Sequence, residues 1–183
     1  GATYINYCSF TNNGTASNTS AVLNASFISA SGREQVKITN SVFGQNVSAS
    51  THKQLIRGIT KATISGNSFT GSGYLEIGGR EASIITNNIF TNVDSSDQFG
   101  INNGVISGRM ESGSLLISDN LIKNTTGSGI HVGFASVGAP TVTIANNTII
   151  GSTGRGITID SSIWNENPNK VVNITNNSIV DNR

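Results

Sequence analysis

Hydrophobic and polar positions alternate in short patches along this chain, and one six-residue pattern keeps returning. The pattern is an isoleucine, two small polar residues, an asparagine, one variable residue and a second isoleucine or a phenylalanine. Clear copies lie at residues 64–69, 85–90, 117–122, 144–149 and 174–179, with degenerate copies at 5–10 and 38–43. Alternation with a period of two indicates β-strands, and no stretch has the i, i+3, i+4, i+7 spacing of a helix.

The central asparagines of the pattern recur at a variable interval. With the smaller residues of the degenerate copies they form a column of Cys8, Ser41, Asn67, Asn88, Asn120, Asn147 and Asn177. Successive members are 21 to 33 residues apart. Such a period predicts a solenoid whose turns carry loops of different length, because helical repeat arrays keep a fixed period.

Each asparagine is predicted to occupy a bend between two strands. Asparagine tolerates the left-handed backbone conformation that a sharp bend requires. Its amide can bond the asparagines of the coils above and below, so the column becomes a structural ladder. The flanking isoleucines and phenylalanines then point inward and stack into a continuous core. Cys8 fits the column as a buried small residue rather than a catalytic thiol, because no histidine or basic residue stands at a recognisable spacing from it.

A further strand precedes each copy of the pattern. The candidates are residues 22–28, 55–60, 75–77, 105–107, 130–132 and 157–159. Three short parallel strands in every turn, joined by right-handed crossovers, form a β-helix. The chain is therefore predicted to be all-β, a right-handed single-stranded parallel β-helix with three sheets and about seven coils. Residues 1–183 are expected to form one such domain, within a longer chain or an end-to-end assembly.

These coils resemble the parallel β-helix repeats of the pectate-lyase-like superfamily, in particular those of NosD-like and polysaccharide-processing proteins. The resemblance covers essentially the whole chain and implies the fold. It leaves function open, because this fold carries lyases, hydrolases, epimerases, phage tailspikes, adhesins and passive fibres. The W-x-D-H and R-x-P-x-x-R segments of pectate lyases do not occur here, nor do the N-T-D, G-H-G and R-I-K segments of polygalacturonases.

Composition narrows the classes of partner. Charged residues make up 11% of the chain, against roughly 25% in an average globular protein, and the formal net charge is +1. The chain has neither a basic cluster nor an aromatic stacking series, so nucleic acid is not expected as a partner. No apolar run approaches the roughly 20 residues of a membrane span. The 24 asparagines and 25 serines favour an extracellular or cell-surface location, and the single cysteine allows no internal disulfide.

Outward-facing residues of the additional strand are the candidates for a catalytic groove. Alternation predicts a column of Arg57, Glu76, Ile106, His131 and Thr158, with Asp160 two residues further. Hydrolysis of a glycosidic bond needs two carboxyl groups at a defined separation. Glu76 and Asp160 are expected about three coils apart, roughly 14 Å at the usual strand spacing, which is too wide. The preferred interpretation is a solvated surface with no catalytic residue assigned.

Two loops carry further candidates. Asp94 and Asp97 are carboxylates three residues apart, and such loops can bind Ca²⁺, which prefers six to eight oxygen ligands. A solvated loop is the alternative, so no cofactor is expected apart from this calcium ion. Trp164 lies in the loop 163–169, where its ring either stacks on a sugar or covers the edge of the core.

The preferred function is an extracellular structural or adhesive module that forms fibres or binds carbohydrate. Its long faces, rich in Asn, Ser and Thr, offer neutral hydrogen-bonding groups. These suit a polysaccharide or end-to-end self-association better than a charged ligand. The alternative is a polysaccharide lyase, epimerase or hydrolase, which requires a base and carboxylates clustered in one groove.

Overall fold

The computed structural model describes residues 2–11, 23–24, 35–44, 54–59, 61–71, 73–95, 104–134, 138–160 and 169–182. All regular secondary structure in these ranges is β-strand, numbered β1 to β20 in chain order. The strands pair in parallel with their equivalents in neighbouring coils and form three sheets, which we name A, B and C. The predicted all-β, three-sheet parallel β-helix is confirmed.

Sheets A and B each contain seven strands in the described residues. Sheet A consists of β1 (Ala2–Asn6), β4 (Gln35–Thr39), β7 (Lys61–Ser65), β10 (Ser83–Thr86), β13 (Ser114–Ser118), β16 (Thr141–Ala145) and β19 (Val171–Thr175). Sheet B consists of β2 (Ser9–Thr11), β5 (Val42–Gly44), β8 (Ser68–Thr70), β11 (Ile89–Thr91), β14 (Leu121–Lys123), β17 (Thr148–Ile150) and β20 (Ser178–Val180). Two residues join each strand of sheet A to the following strand of sheet B, so this corner is built alike in every coil.

Sheet C has six strands in the described residues and completes each coil. It consists of β3 (Leu23–Asn24), β6 (Gln54–Ile59), β9 (Tyr74–Gly79), β12 (Gly104–Met110), β15 (Ser128–Phe134) and β18 (Ile157–Asp160). The connections on both sides of sheet C differ in length. Into the sheet, the shortest is residues 71–73 and the longest is residues 92–103. Out of the sheet, the shortest is residue 60 alone, and residues 25–34 are among the longest. The variable spacing of the asparagine column therefore arises on the two sides of sheet C.

The core is built from inward-pointing columns that follow the repeat. In sheet A an isoleucine of each coil pairs in register with an isoleucine of the next, from Ile5 to Ile174. In sheet B the column begins with four phenylalanines, whose stacked rings have centroid separations of 5.0, 4.8 and 4.7 Å. Isoleucines of the middle coils, such as Ile64 and Ile117, are fully buried. Burying a side chain of this size contributes about 1.5–3 kcal/mol, so these columns are a main source of stability.

The two residues of the corner between sheets A and B have different roles. The first position is exposed and left-handed, with φ of 51° at Asn40, 67° at Gly66 and 56° at Asn87. The second position holds the ladder residue, which is buried in the middle coils and does not have a positive φ. The prediction that the ladder asparagine itself adopts the left-handed conformation was therefore wrong by one residue. A ladder amide has to point into the corner, whereas the left-handed residue before it directs its side chain outward.

The five asparagines at the second position form one continuous row of hydrogen bonds. Nδ2 of Asn67 donates to Oδ1 of Asn88 at 3.0 Å, and Asn88 donates in the same way to Asn120 at 3.0 Å. The row continues from Asn120 to Asn147 at 3.0 Å and from Asn147 to Asn177 at 2.9 Å. Each Oδ1 also accepts the backbone N–H of the preceding asparagine. The row therefore satisfies backbone and side-chain donors that the corner would otherwise bury unpaired.

The degenerate copies extend this row with smaller side chains. The backbone N–H of Ser41 donates to Oδ1 of Asn67 at 2.9 Å, and that of Cys8 donates to Oγ of Ser41 at 3.2 Å. Ser41 is buried and Cys8 is half-buried. A hydroxyl is thus enough to bond the neighbouring backbone N–H at this position.

A second left-handed corner lies where the chain leaves sheet B, and the sequence analysis missed it. Positive φ occurs there at Gly71, Asn92, Asn124, Gly151 and Asp181. The residues that follow bond between coils: the hydroxyls of Thr125 and Ser152 are 3.0 Å apart, and the N–H of Ser152 donates to Oδ1 of Asn182 at 2.8 Å. Each corner residue stands four positions after a ladder asparagine, so a recurring Gly, Asn or Asp at that position is the signal that would have revealed it.

Candidate functional site

The outer face of sheet C is buried along most of its middle strands β12 and β15, in contrast to the outer faces of sheets A and B. On those sheets outward side chains such as Ile84 and Ile89 are 40% and 47% exposed. In β12 and β15, by comparison, every residue but Arg109 is buried. Ser107 and His131 are each 8% exposed although they point away from the core. Sheet C therefore presents a recessed polar face.

Strand register groups the outward residues of sheet C into two columns. The first column contains Glu76, Ser107, His131 and Thr158 in consecutive coils. The second column contains Gly78, Arg109, Gly133 and Asp160. Neighbouring members of a column are one strand spacing apart, about 4.8 Å. We name the surface formed by Ser107, Arg109, His131, Gly133, Thr158 and Asp160 the outer recess.

Ile106 does not belong to this face, so its predicted place in the column was wrong. Its side chain is fully buried in the core, and Ser107 occupies the outward position instead. The error arises because Val105 and Ile106 are both buried, which hides the alternation of β12. Gly108 shows which side of β12 faces the core. A Cβ added to Gly108 would lie 2.8 Å from the Leu115 side chain, so this position points inward.

Arg57 lies on β6, whose pairing with β9 is irregular. Ile56 pairs with Leu75 and Ile59 with Ile77, with a register shift between the two pairs. Two residues of β6 therefore stand opposite Glu76, as in a β-bulge. The backbone places Arg57 at the Glu76 end of the first column, and its side chain lies outside the described part of the structure.

His131 is the central titratable group of the outer recess. Its Nδ1 atom is buried and has no hydrogen-bond partner, and the same holds for Oγ1 of Thr158, which is directly opposite on β18. Burial lowers the pKa of His131 below its ordinary value, and the negative charge of Asp160 opposes that shift. The imidazole is therefore neutral near pH 7, with one nitrogen able to donate a hydrogen bond and the other able to accept one.

Gly133 leaves the second column without a side chain beside His131, and the glycine itself is buried. Among the described residues, the atom nearest to a Cβ built on Gly133 is the carbonyl oxygen of Asp160, at 4.0 Å. Arg109 and Asp160 stand on either side of this glycine, two strand spacings or about 9.6 Å apart in backbone position. Gly133 thus lies between a cationic and an anionic residue of the same column.

The carboxylates of this face are not arranged as the acid and base of a hydrolase. Glu76 and Asp160 lie on β9 and β18, three strands apart, which corresponds to roughly 14 Å. Hydrolases that use two carboxyl groups hold them at most about 9.5 Å apart. What the outer recess offers is a set of hydrogen-bond donors and acceptors around a neutral imidazole.

The loop candidates are only partly described. Asp94 is half-buried and forms an isolated parallel bridge with Thr126, whereas Asp97 lies outside the described residues. Trp164 also lies outside them. Within the described ranges, no group of three or more His, Cys, Asp or Glu side chains is placed to hold a metal ion. The calcium site at Asp94 and Asp97 and the sugar-stacking role of Trp164 stay predictions.

Comparison with known proteins identifies the repeat. A family model described as a right-handed beta helix region matches residues 1–165. No curated protein and no solved structure matched the chain. The parts of the chain that the structure describes contain no helix of sufficient length and apolarity to cross a bilayer.

Proposed function

The chain belongs to the right-handed β-helix family, and on this premise we propose that it is a cell-surface module that binds a polysaccharide along the outer face of sheet C. The observation that carries the proposal is the outer recess, in which Ser107 and His131 are buried and Nδ1 of His131 and Oγ1 of Thr158 have no partner. Buried polar groups are nearly always hydrogen-bonded, so these atoms point to a bound partner.

A sugar polymer matches this face in chemistry and in shape. Its hydroxyl groups donate and accept hydrogen bonds, which suits a face made of Ser107, His131 and Thr158. The columns run along the axis of the β-helix and repeat about every 4.8 Å, so an extended chain can meet equivalent positions on several coils. Ligand sites commonly combine a concave surface with a few convergent polar groups.

The proposal is tested by affinity electrophoresis through gels that contain one polysaccharide each. Gly133→Val is expected to abolish retardation, because it places a branched side chain in the outer recess at a residue that does not have a positive φ. Thr143→Val on the outer face of sheet A introduces the same side chain elsewhere and is expected to bind as the wild type does. Equal retardation of both variants, with both folded by circular dichroism, would place binding elsewhere.

A second candidate function is enzymatic, and the buried imidazole favours it. A neutral His131 beside Asp160 could accept a proton from a sugar carbon or hydroxyl. Incubation with uronic-acid polymers, followed at the ultraviolet absorbance of the unsaturated product, tests a lyase. An assay for new reducing ends tests a hydrolase. Turnover that is lost in His131→Gln would make the protein an enzyme rather than a binding module.

End-to-end self-association is favoured by one edge of the described coils. Ile174 of β19 and Ile179 of β20 are each 47% exposed, although the equivalent Ile144 and Ile149 of the preceding coil are fully buried. Another coil stacked on β19 and β20, whether it follows in the same protein or belongs to a second copy, would bury both side chains. Sedimentation that depends on concentration in the wild type and not in Ile179→Lys would support this contact, because a lysine on an edge strand opposes pairing. A wild type that stays monomeric at all concentrations would exclude it.

A further inference from the structure

We infer that the exposed corner asparagines Asn124, Asn146 and Asn176 are acceptor sites for N-linked glycans. Each begins a sequon, which is an asparagine followed two residues later by serine or threonine. The inference rests on the cell-surface location in the proposed function, because such glycans are added to secreted and surface proteins. It concerns a part of the molecule other than the outer recess, and so adds a second property to the proposed function.

The three asparagines lie where the backbone turns sharply and faces solvent. Asn146 and Asn176 hold the first position of the corner between sheets A and B, and Asn124 holds the corner after sheet B. The φ angles are 53° at Asn124, 56° at Asn146 and 54° at Asn176, and all three residues are exposed. A glycan is bulky and hydrated, so a sequon that carries one belongs on a surface turn or loop. The corners meet this requirement.

The repeat keeps these acceptors apart from the ladder asparagines. Two residues after Asn146 the chain reaches Thr148, which points outward on β17, and Ser178 takes the equivalent place in the next coil. Two residues after the ladder asparagine Asn147 the chain reaches Ile149, which is fully buried in the core. Because the core needs an apolar residue there, none of the five ladder asparagines begins a sequon. In this corner, only the exposed position can combine an asparagine with the hydroxyl that a sequon requires.

Glycan transfer joins Nδ2 of an asparagine to the anomeric carbon of a lipid-linked oligosaccharide pyrophosphate. The bond between that carbon and its phosphate oxygen breaks, the lipid pyrophosphate departs, and the amide loses one proton. Nδ2 of Asn147 cannot take this part, because it donates to two backbone carbonyls and to Oδ1 of Asn177 within the buried corner. The exposed amide of Asn146 and the outward hydroxyl of Thr148 can both be reached by a transferase from outside the coil.

Peptide mapping of the protein from its natural source tests the three sites. Peptide N-glycosidase removes an N-linked glycan and converts its asparagine to aspartate, which mass spectrometry detects, and untreated protein controls for spontaneous deamidation. Conversion is expected at Asn124, Asn146 and Asn176. No conversion at any of them, in protein that surface biotinylation labels on intact cells, would overturn the inference and leave the proposed location intact. Protein that is neither labelled nor converted would overturn both.

Asn173 provides a comparison within the same protein. It also begins a sequon and is exposed, but it lies inside β19, whose backbone pairs with β16. A paired strand cannot bend to fit a transferase, so conversion at Asn173 is expected in far fewer molecules than at Asn176. Equal conversion at the two asparagines would overturn the assignment to the corners, because the sequon alone would then decide.

Variants at an equivalent corner test the geometry directly in a eukaryotic secretion host. Asn87 is an exposed, left-handed corner residue that lacks a sequon because the outward residue after the ladder is Ile89. Ile89→Thr is therefore expected to add one glycan to the intact mass of the secreted protein, and Asn146→Gln to remove one. Asn87→Gln is the matched control and is expected to leave the glycan mass unchanged. An Ile89→Thr variant that is folded by circular dichroism and gains no glycan would overturn the inference, because this corner would then not accept one.

Discussion

Replacing Asn120 by alanine removes the middle of the asparagine row and measures what the row contributes. Nδ2 of Asn120 donates to the carbonyls of Ile85 and Ser118 at 2.9 Å each and to Oδ1 of Asn147 at 3.0 Å. Its Oδ1 accepts from the backbone N–H and from Nδ2 of Asn88, both at 3.0 Å. Alanine leaves the Asn88 N–H without this acceptor and the two carbonyls without this donor, in a buried corner that water does not reach.

The expected magnitude follows from two of those groups, because the Ser118 carbonyl also accepts the Asn87 N–H at 3.2 Å. Leaving a buried polar group unsatisfied costs about 1–3 kcal/mol, so Asn120→Ala is expected to lower the free energy of unfolding by about 2–6 kcal/mol. That is a large share of the roughly 5–15 kcal/mol by which proteins are stable. For a chain of this size it corresponds to a decrease in Tm of about 4–24 °C. Urea unfolding and thermal unfolding, followed by far-ultraviolet circular dichroism, measure both quantities.

Asn173→Ala is the matched control, because Asn173 is an exposed asparagine on the outer face of sheet A. It is expected to change stability by no more than about 0.5 kcal/mol. The double variant Asn88→Ala/Asn120→Ala should lose less than the sum of the single losses, since the two side chains are hydrogen-bonded to each other. A loss below about 1 kcal/mol in Asn120→Ala would refute the reasoning, because the row would then be no stronger than ordinary surface hydrogen bonds.

Other properties can be checked in the same way. Asn87→Val should lower Tm and Asn87→Gly should not, because at φ of 56° a branched Cβ costs about 1–2 kcal/mol that glycine avoids. Burial lowers the pKa of His131 from 6.5, so the unfolded chain takes up the proton first, and urea midpoints should fall as pH drops below 6.5. His131→Gln should flatten that dependence, and an unchanged slope would contradict the burial of a neutral imidazole. If Asp94 and Asp97 hold calcium, millimolar calcium raises Tm in the wild type and not in Asp94→Asn, and no rise in either would remove the metal from consideration.

The sequence was sufficient for the coil because the strongest physical constraints repeat in it. An inward isoleucine and a corner amide each have to stack on their equivalents, so they recur as a pattern that can be read without knowing the length of the loops. The same logic would have found the corner after sheet B, where Asn92, Asn124 and Asp181 recur four residues after the ladder. Glycine fills that corner in other coils, as at Gly71 and Gly151, and so the signal is divided among three residue types.

The outer recess was harder to derive because it depends on register rather than on a repeat. Val105 and Ile106 are consecutive apolar residues of β12. Such a pair interrupts the alternation, so the sequence does not reveal which residues of the strand face outward. Placing Ser107 rather than Ile106 beside His131 required the pairing of β12 with β15. The burial of His131 could not be foreseen either, since its outward position on a strand predicts exposure.

The constant corner between sheets A and B, set against the variable connections of sheet C, has an evolutionary consequence. Insertions and deletions can accumulate on the two borders of one sheet while the hydrogen-bonded spine that holds the coils together keeps its geometry. Variation in loop length and structural integrity are thereby inherited by separate parts of each coil. A lineage can change its loops without destabilising the framework, and a protein engineer can graft new segments at those same borders.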